Sequence, residues 1–154
     1  MYIHETGRHM IMTKKHEEFG ITCYCRRLRS VTAQVTRMYD SYLKEAGITC
    51  QQFSTLEHIR AMEPVSVTAL AGRMGLDRTS LSRNLKLLKE NFWIEDENGH
   101  GRSRSIVLSD QGKEILRHAE KQWEKAQTTL EKVLGEDQLR HLEEMETLLC
   151  ELSS

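Results

Sequence analysis

The chain has 154 residues and a formal net charge of −1, a length that suits one domain with a single core. No run approaches the about 18 apolar residues of a membrane span, and the opening MYIHETGRHMIMTKKHEE lacks the apolar stretch of a secretory signal, so a cytoplasmic protein with no membrane partner is expected. The near-zero total excludes a uniformly basic nucleic-acid binder but hides an uneven distribution: Thr22 to Lys44 holds five basic residues against one acidic, Asp110 to Ser154 six against eleven.

Residues 1–19 are polar, hold three of the seven histidines and show no apolar period, which reads as a partly disordered arm. From Leu28 the apolar positions Val31, Val35, Met38 and Tyr42 follow at steps of three and four, predicting a helix with one apolar seam that ends at Gly47. Thr49 with Gln52 is a capping-box pair opening a helix through Phe53, Leu56 and Ile59, which stops before Pro64. Ser66 is the cap expected for the next helix, with Leu70, Ala71 and Met74 inward and Gly75 at its end.

Asp77 then caps a fourth helix whose Leu81, Leu85 and Leu88 point inward and whose other face is Arg78, Thr79, Ser82, Arg83, Lys86 and Lys89. WIEDE and SIVLS are β-prone runs around Asn98-Gly99-His100-Gly101, a hairpin composition with a loop longer than two residues. Ser109 starts a long helix through Leu116, Ala119, Trp123, Ala126, Leu130 and Val133 that Gly135 breaks, and Leu139, Leu142, Met145, Leu149 and Leu152 mark a last one. The fold class is mainly α with a small β-wing: a winged helix-turn-helix over about 48–109, flanked by dimerisation helices over about 22–46 and 110–152, all within one domain spanning 20–154.

The B-form major groove accepts an α-helix, and small polar and basic side chains near that helix's N-terminus reach bases and phosphates. Arg78, Thr79, Ser80, Ser82 and Arg83 supply this chemistry, with Arg83 and Arg78 assigned to bases because a guanidinium can give guanine two parallel hydrogen bonds. Arg102, with Arg104 beside it, sits at a hairpin tip suited to the narrow minor groove, where negative potential attracts arginine. Taken alone, the helix is equally a solvated amphipathic surface helix. The succession of cap, glycine turn, cap, reading helix and arginine-bearing hairpin favours a DNA-binding reading.

The segments VTRMYDSYLKEAGIT, FSTLEHI, LAGRMGLDRTSLSRNLKLL and GRSRSIVLSDQGKEIL resemble the multiple antibiotic resistance regulator (MarR) family, from about Cys23 to Leu152. The resemblance implies a homodimeric winged-helix transcriptional regulator on a pseudo-palindromic operator, usually a repressor relieved by a small-molecule effector or an oxidant. It places Arg78, Thr79, Ser80, Ser82 and Arg83 in the reading-helix region and Arg102 at the wing tip. His100 stands where the family's wing usually has an aspartate two residues before that arginine.

The apolar seams at both ends exceed what a small winged-helix unit covers, which predicts a dimer made by both ends of the chain. Cys23, Cys25, Cys50 and Cys150 are expected as thiols. Cys25 resembles by position the reactive cysteine of organic-hydroperoxide regulators in this family, with Tyr39 fourteen residues on; Arg29 replaces the tyrosine four residues on. Cys25 is thus a candidate redox residue, while the commoner fate of such a cysteine is to be inert.

Cys23-x-Cys25 with His16 carries metal-ligand types, but a helical C-x-C aims its thiolates apart, so neither metal nor cofactor is expected. With no phosphate loop or nucleophile elbow, an enzyme is not expected either. Two alternatives stand beside the ligand-released regulator: thiol-based peroxide sensing through Cys25, and a winged-helix module that binds protein without DNA.

Overall fold

A computed structural model describes residues 23–97 and 105–151. The chain divides into two compact units, Met1–Val35 and Thr36–Ser154, with the division falling inside the first helix. Helix α1 spans Tyr24–Leu43 and runs into a 3-10 turn, Lys44–Ala46, closed by Gly47 at φ 75°. The left-handed backbone there is the conformation glycine adopts without a Cβ penalty. In the first unit, Tyr24, Leu28 and Val31 are exposed.

The second unit holds the core. Helix α2 (Cys50–Met62) opens on the reciprocal box expected from sequence, with Gln52 N donating to Thr49 Oγ1 at 3.2 Å and Thr49 N donating to Gln52 Oε1 at 2.9 Å. Cys50 N also donates to Asp40 Oδ1 at 2.7 Å, so a carboxylate from α1 sits at the positive end of α2. Strand β1 is only Val65–Ser66, and α3 (Val67–Met74) follows with no intervening residue. Ser66 therefore ends a strand and caps a helix, accepting from Ala69 N at 3.2 Å.

Gly75 (φ 61°) closes α3, and α4 (Arg78–Glu90) begins at the Asp77 cap. Strands β2 (Ile94–Glu97) and β3 (Ser105–Leu108) pair antiparallel from Ile94↔Leu108 to Glu97↔Ser105, and β1 joins β3's other edge through Val65↔Ile106, giving the order β1-β3-β2. The sequence predicts only the hairpin; the third strand is an addition. Glu63 fastens this edge, its Oε2 accepting from Leu108 N at 2.7 Å.

Helix α5 spans Asp110–Glu151, with Gly135 at φ 74°, ψ 166° interrupting its helical backbone where the sequence predicts a break. Leu43, Leu56, Ile59, Leu70, Leu81, Leu88, Ile106 and Leu116 are fully enclosed, so α1's end, α2, α3, α4, the sheet and α5 share one apolar interior. The seam predicted along α5 is buried at Leu116, Ala119 and Ala126, but Val133 is 75% exposed. Beyond it Leu142, Met145, Leu148 and Leu149 are exposed as well. Among the described residues no helix is long and apolar enough to cross a membrane.

Candidate nucleic-acid interface

The candidate reading helix is α4, and its orientation is set from beneath. Leu81, Leu85 and Leu88 are buried at steps of four and three, with Asn84 buried among them. That fixes the opposite surface, and Arg78, Thr79, Ser82, Arg83, Lys86 and Lys89 are all exposed, as the spacing requires.

The N-terminus of α4 is closed by one carboxylate. Asp77 Oδ1 accepts from Thr79 N and Ser80 N, each at 2.9 Å, and Asp77 Oδ2 accepts from Ser80 Oγ at 2.6 Å. The Ser80 hydroxyl and these amides hold the Asp77 carboxyl below its ordinary range. The Ser80 hydroxyl is thereby engaged in the cap, whereas the Thr79 and Ser82 side chains have no such partner among the described residues.

The cations on α4 divide into two groups. Lys89 Nζ bridges both Asp96 oxygens at 2.6 and 2.8 Å, and Lys86 Nζ lies 3.7 Å from Glu90. Arg78 and Arg83 have neither an ion pair nor a side-chain hydrogen bond among the described residues. These two uncommitted guanidiniums lie in the first two turns, where a helix entering a groove approaches bases. Strand β2, by contrast, exposes Glu95 and Glu97. The wing residues His100, Arg102 and Arg104, the arm 1–19 and His16 lie outside the described residues.

The far end of α4 is tied down as well. Phe92 takes φ 59°, rare for a residue with a side chain, and its carbonyl accepts from Ser109 Oγ at 2.6 Å. Ser109 Oγ in turn accepts from Gly112 N at 2.9 Å, and Ser109 N donates to the Trp93 carbonyl at 3.1 Å. A Cβ built on Gly112 would lie 1.9 Å from that carbonyl oxygen. The start of α5 and the exit of α4 thus meet backbone to backbone, a closeness only glycine permits. Sequence reasoning missed this contact, as it missed Asn84; an asparagine inside a leucine face is the one local signal for the latter.

Of the cysteines, Cys23 and Cys25 are exposed, as is Arg29. Cys50 is half-buried, and burial together with the Asp40 carboxylate raises its thiol pKa.

A capped helix-turn-helix followed by a β-hairpin and held by a three-stranded sheet defines a winged helix-turn-helix protein. Residues 46–103 match the sequence model of the MarR family. A transcriptional regulator of the helix-turn-helix type from Bacillus cereus is 28% identical over 123 residues, covering 79% of this chain and 82% of that relative. Over residues 46–103 the chain is thus similar to the MarR family, and the relative and solved structure it resembles are transcriptional regulators.

The Mycobacterium tuberculosis transcriptional regulator MosR superposes with a TM-score of 0.74 at 28% identity, covering 85% of this chain and 96% of that one. The DNA complex of MosR superposes at 0.73. Escherichia coli MarR bound to operator DNA has the same fold at a TM-score of 0.73 and 24% identity, covering 80% of this chain and 91% of that one.

Proposed function

We propose that the chain binds duplex DNA as a homodimer, with α4 in the major groove and the wing in the minor groove, and acts as a repressor that a small ligand or an oxidant releases. The observation that carries the reading is the pair Arg78 and Arg83, exposed and, among the described residues, uncommitted on a helix whose opposite face is locked into the core. MosR and E. coli MarR, which share this fold, have been solved in complex with DNA.

In this reading Arg78 and Arg83 contact bases, Thr79 and Ser82 contact phosphates, and Ser80 supports the cap. Arg102, with Arg104, serves the minor groove. The single domain over 20–154 keeps its winged core at about 48–109, and the helices at about 22–46 and 110–152 pair with a second copy. Exposed Val133, Leu142, Met145, Leu148 and Leu149 are the apolar surface such a copy would cover. Dimerisation would then set the half-site spacing, about 34 Å for one turn of DNA.

The test is a salt titration of binding to a genomic fragment pool. Affinity should fall steeply with salt, because each phosphate contact releases counterions and adds about 0.9 to the logarithmic slope. Salt-insensitive binding, or none to any fragment, rejects DNA recognition and leaves the protein-binding module. For the oxidant branch, an organic hydroperoxide should oxidise the exposed Cys25 thiol to sulfenic acid, itself being reduced to the alcohol, and release DNA. Equal release from wild type and Cys25→Ser removes Cys25 as the sensor.

A further inference from the structure

Within the second unit, α1's C-terminal end, α2 and α5 line an open cavity of about 490 Å³. Its aromatic wall is made by Tyr39, Phe53 and Trp123, with the Phe53 and Trp123 rings nearly parallel at 19° and their centroids 6.0 Å apart. Its charged wall is Glu57, Glu120, Glu124 and Arg60. Three carboxylates against one guanidinium leave that wall at −2.

The single cation among the described residues of this wall is already engaged. Arg60 Nη1 donates to Glu120 Oε1 at 2.5 Å and Nη2 to Glu57 Oε2 at 2.9 Å. Glu57 Oε1 lies 2.8 Å from Nη2, yet it is buried and receives no aligned hydrogen bond. Glu124 makes no ion pair among the described residues and is exposed at the cavity's edge. The remaining polar groups add no charge near neutral pH: burial, then the neighbouring acidic groups, pushes both the Cys50 thiol and the Tyr39 phenol up.

We infer that this cavity takes a cationic aromatic ligand, its ring laid along Trp123 and Phe53 and its positive charge set against Glu57 and Glu124. The inference rests on the reading of the chain as a ligand-released regulator and adds the ligand's chemical class. An aromatic face attracts a cation through its quadrupole, and a wall carrying −2 strengthens the preference. A carboxylate ligand would meet net repulsion and would have to draw Arg60 away from two anionic partners. The cavity also has a route to the reading helix: Phe53 and Glu57 lie on α2, whose Thr55 accepts a hydrogen bond from Asn84 of α4.

The test uses the whole protein without DNA. Trp93 and Trp123 are the two tryptophans, so Trp93→Phe leaves Trp123 as the sole reporter in the cavity. Proflavine, a planar tricyclic cation, should quench Trp123 saturably with a Kd at least about tenfold below that of 9-anthracenecarboxylate, its tricyclic anionic counterpart. Glu57→Gln with Glu124→Gln takes the wall from −2 to zero and should weaken proflavine about tenfold while leaving the anion unchanged or tighter.

Saturable quenching by neither probe, equal affinity for both, or a proflavine Kd unmoved by the double substitution overturns the inference. Salt-dependent DNA binding measured on the same protein without either probe separates the outcomes. If it persists while the cation preference fails, only the ligand class is lost; if it fails while the preference holds, the regulator reading is lost.

Discussion

Asn84 donates from Nδ2 to Thr55 Oγ1, joining α4 to α2 across 29 positions of sequence, and both residues are buried. Thr55 Oγ1 donates onward to the Gln51 carbonyl at 2.8 Å, so its hydroxyl is used in both directions. Thr55→Val keeps the shape but leaves the Asn84 amide unsatisfied in the core, and should cost about 1–3 kcal/mol by denaturant titration. Adding Asn84→Leu should recover part of that loss, giving a non-additive cycle. Strict additivity would show that the two side chains do not interact.

Gly112 and Gly72 should respond to alanine with opposite signs. At Gly112 the new methyl meets the Trp93 carbonyl, and overpacking of that kind costs about 1–3 kcal/mol. At Gly72, inside α3, nothing lies within 4 Å of the added Cβ. There alanine should stabilise by about 0.5–1 kcal/mol through its better helix propensity. Melting temperatures of the two variants check both signs.

Asp77 supplies a pH dependence. Its carboxyl pKa is lowered in the folded state by the Ser80 hydroxyl and the α4 amides. A depressed acid contributes stability above its unfolded pKa and loses it as pH falls through the folded one. The melting temperature of wild type should exceed that of Asp77→Ala at neutral pH, and the gap should close progressively below about pH 4. A gap independent of pH would mean the cap does not act through its charge.

Within the proposed DNA complex, Arg83→Ala should relax sequence preference at one base pair by about 1–3 kcal/mol. Arg102→Ala should instead weaken all sequences alike. Binding selections on randomised operators measure both. Unchanged selectivity and affinity in the two variants would move the contact surface elsewhere.

The sequence exposed whatever is local. Thr49 with Gln52, Ser66, Gly75 and Asp77 announce helix ends because a cap is chemistry between residues two to four apart, and all four act as their spacing predicts. The exposed basic face of α4 was legible for the same reason, its leucines spaced at a helical period. Hidden were the groups that meet only through folding. Strand β1 is two residues long and exists because β3 lies beside it. Gly112 opposite Trp93, and Glu57 with Arg60 and Glu120, are likewise brought together by packing. The roles of Arg102 and Arg104 rest on the sequence alone.

The junction at Ser66 has a consequence for how this domain tolerates change in length. With β1 ending at Ser66 and α3 starting at Val67, the chain has no spare residue between sheet and helix. One inserted residue would either slide Val65 from Ile106 and turn it to the opposite face of the sheet, or leave α3 without its hydroxyl cap. Length variation is therefore barred at this joint, because Ser66 sets the strand register and the helix cap at once.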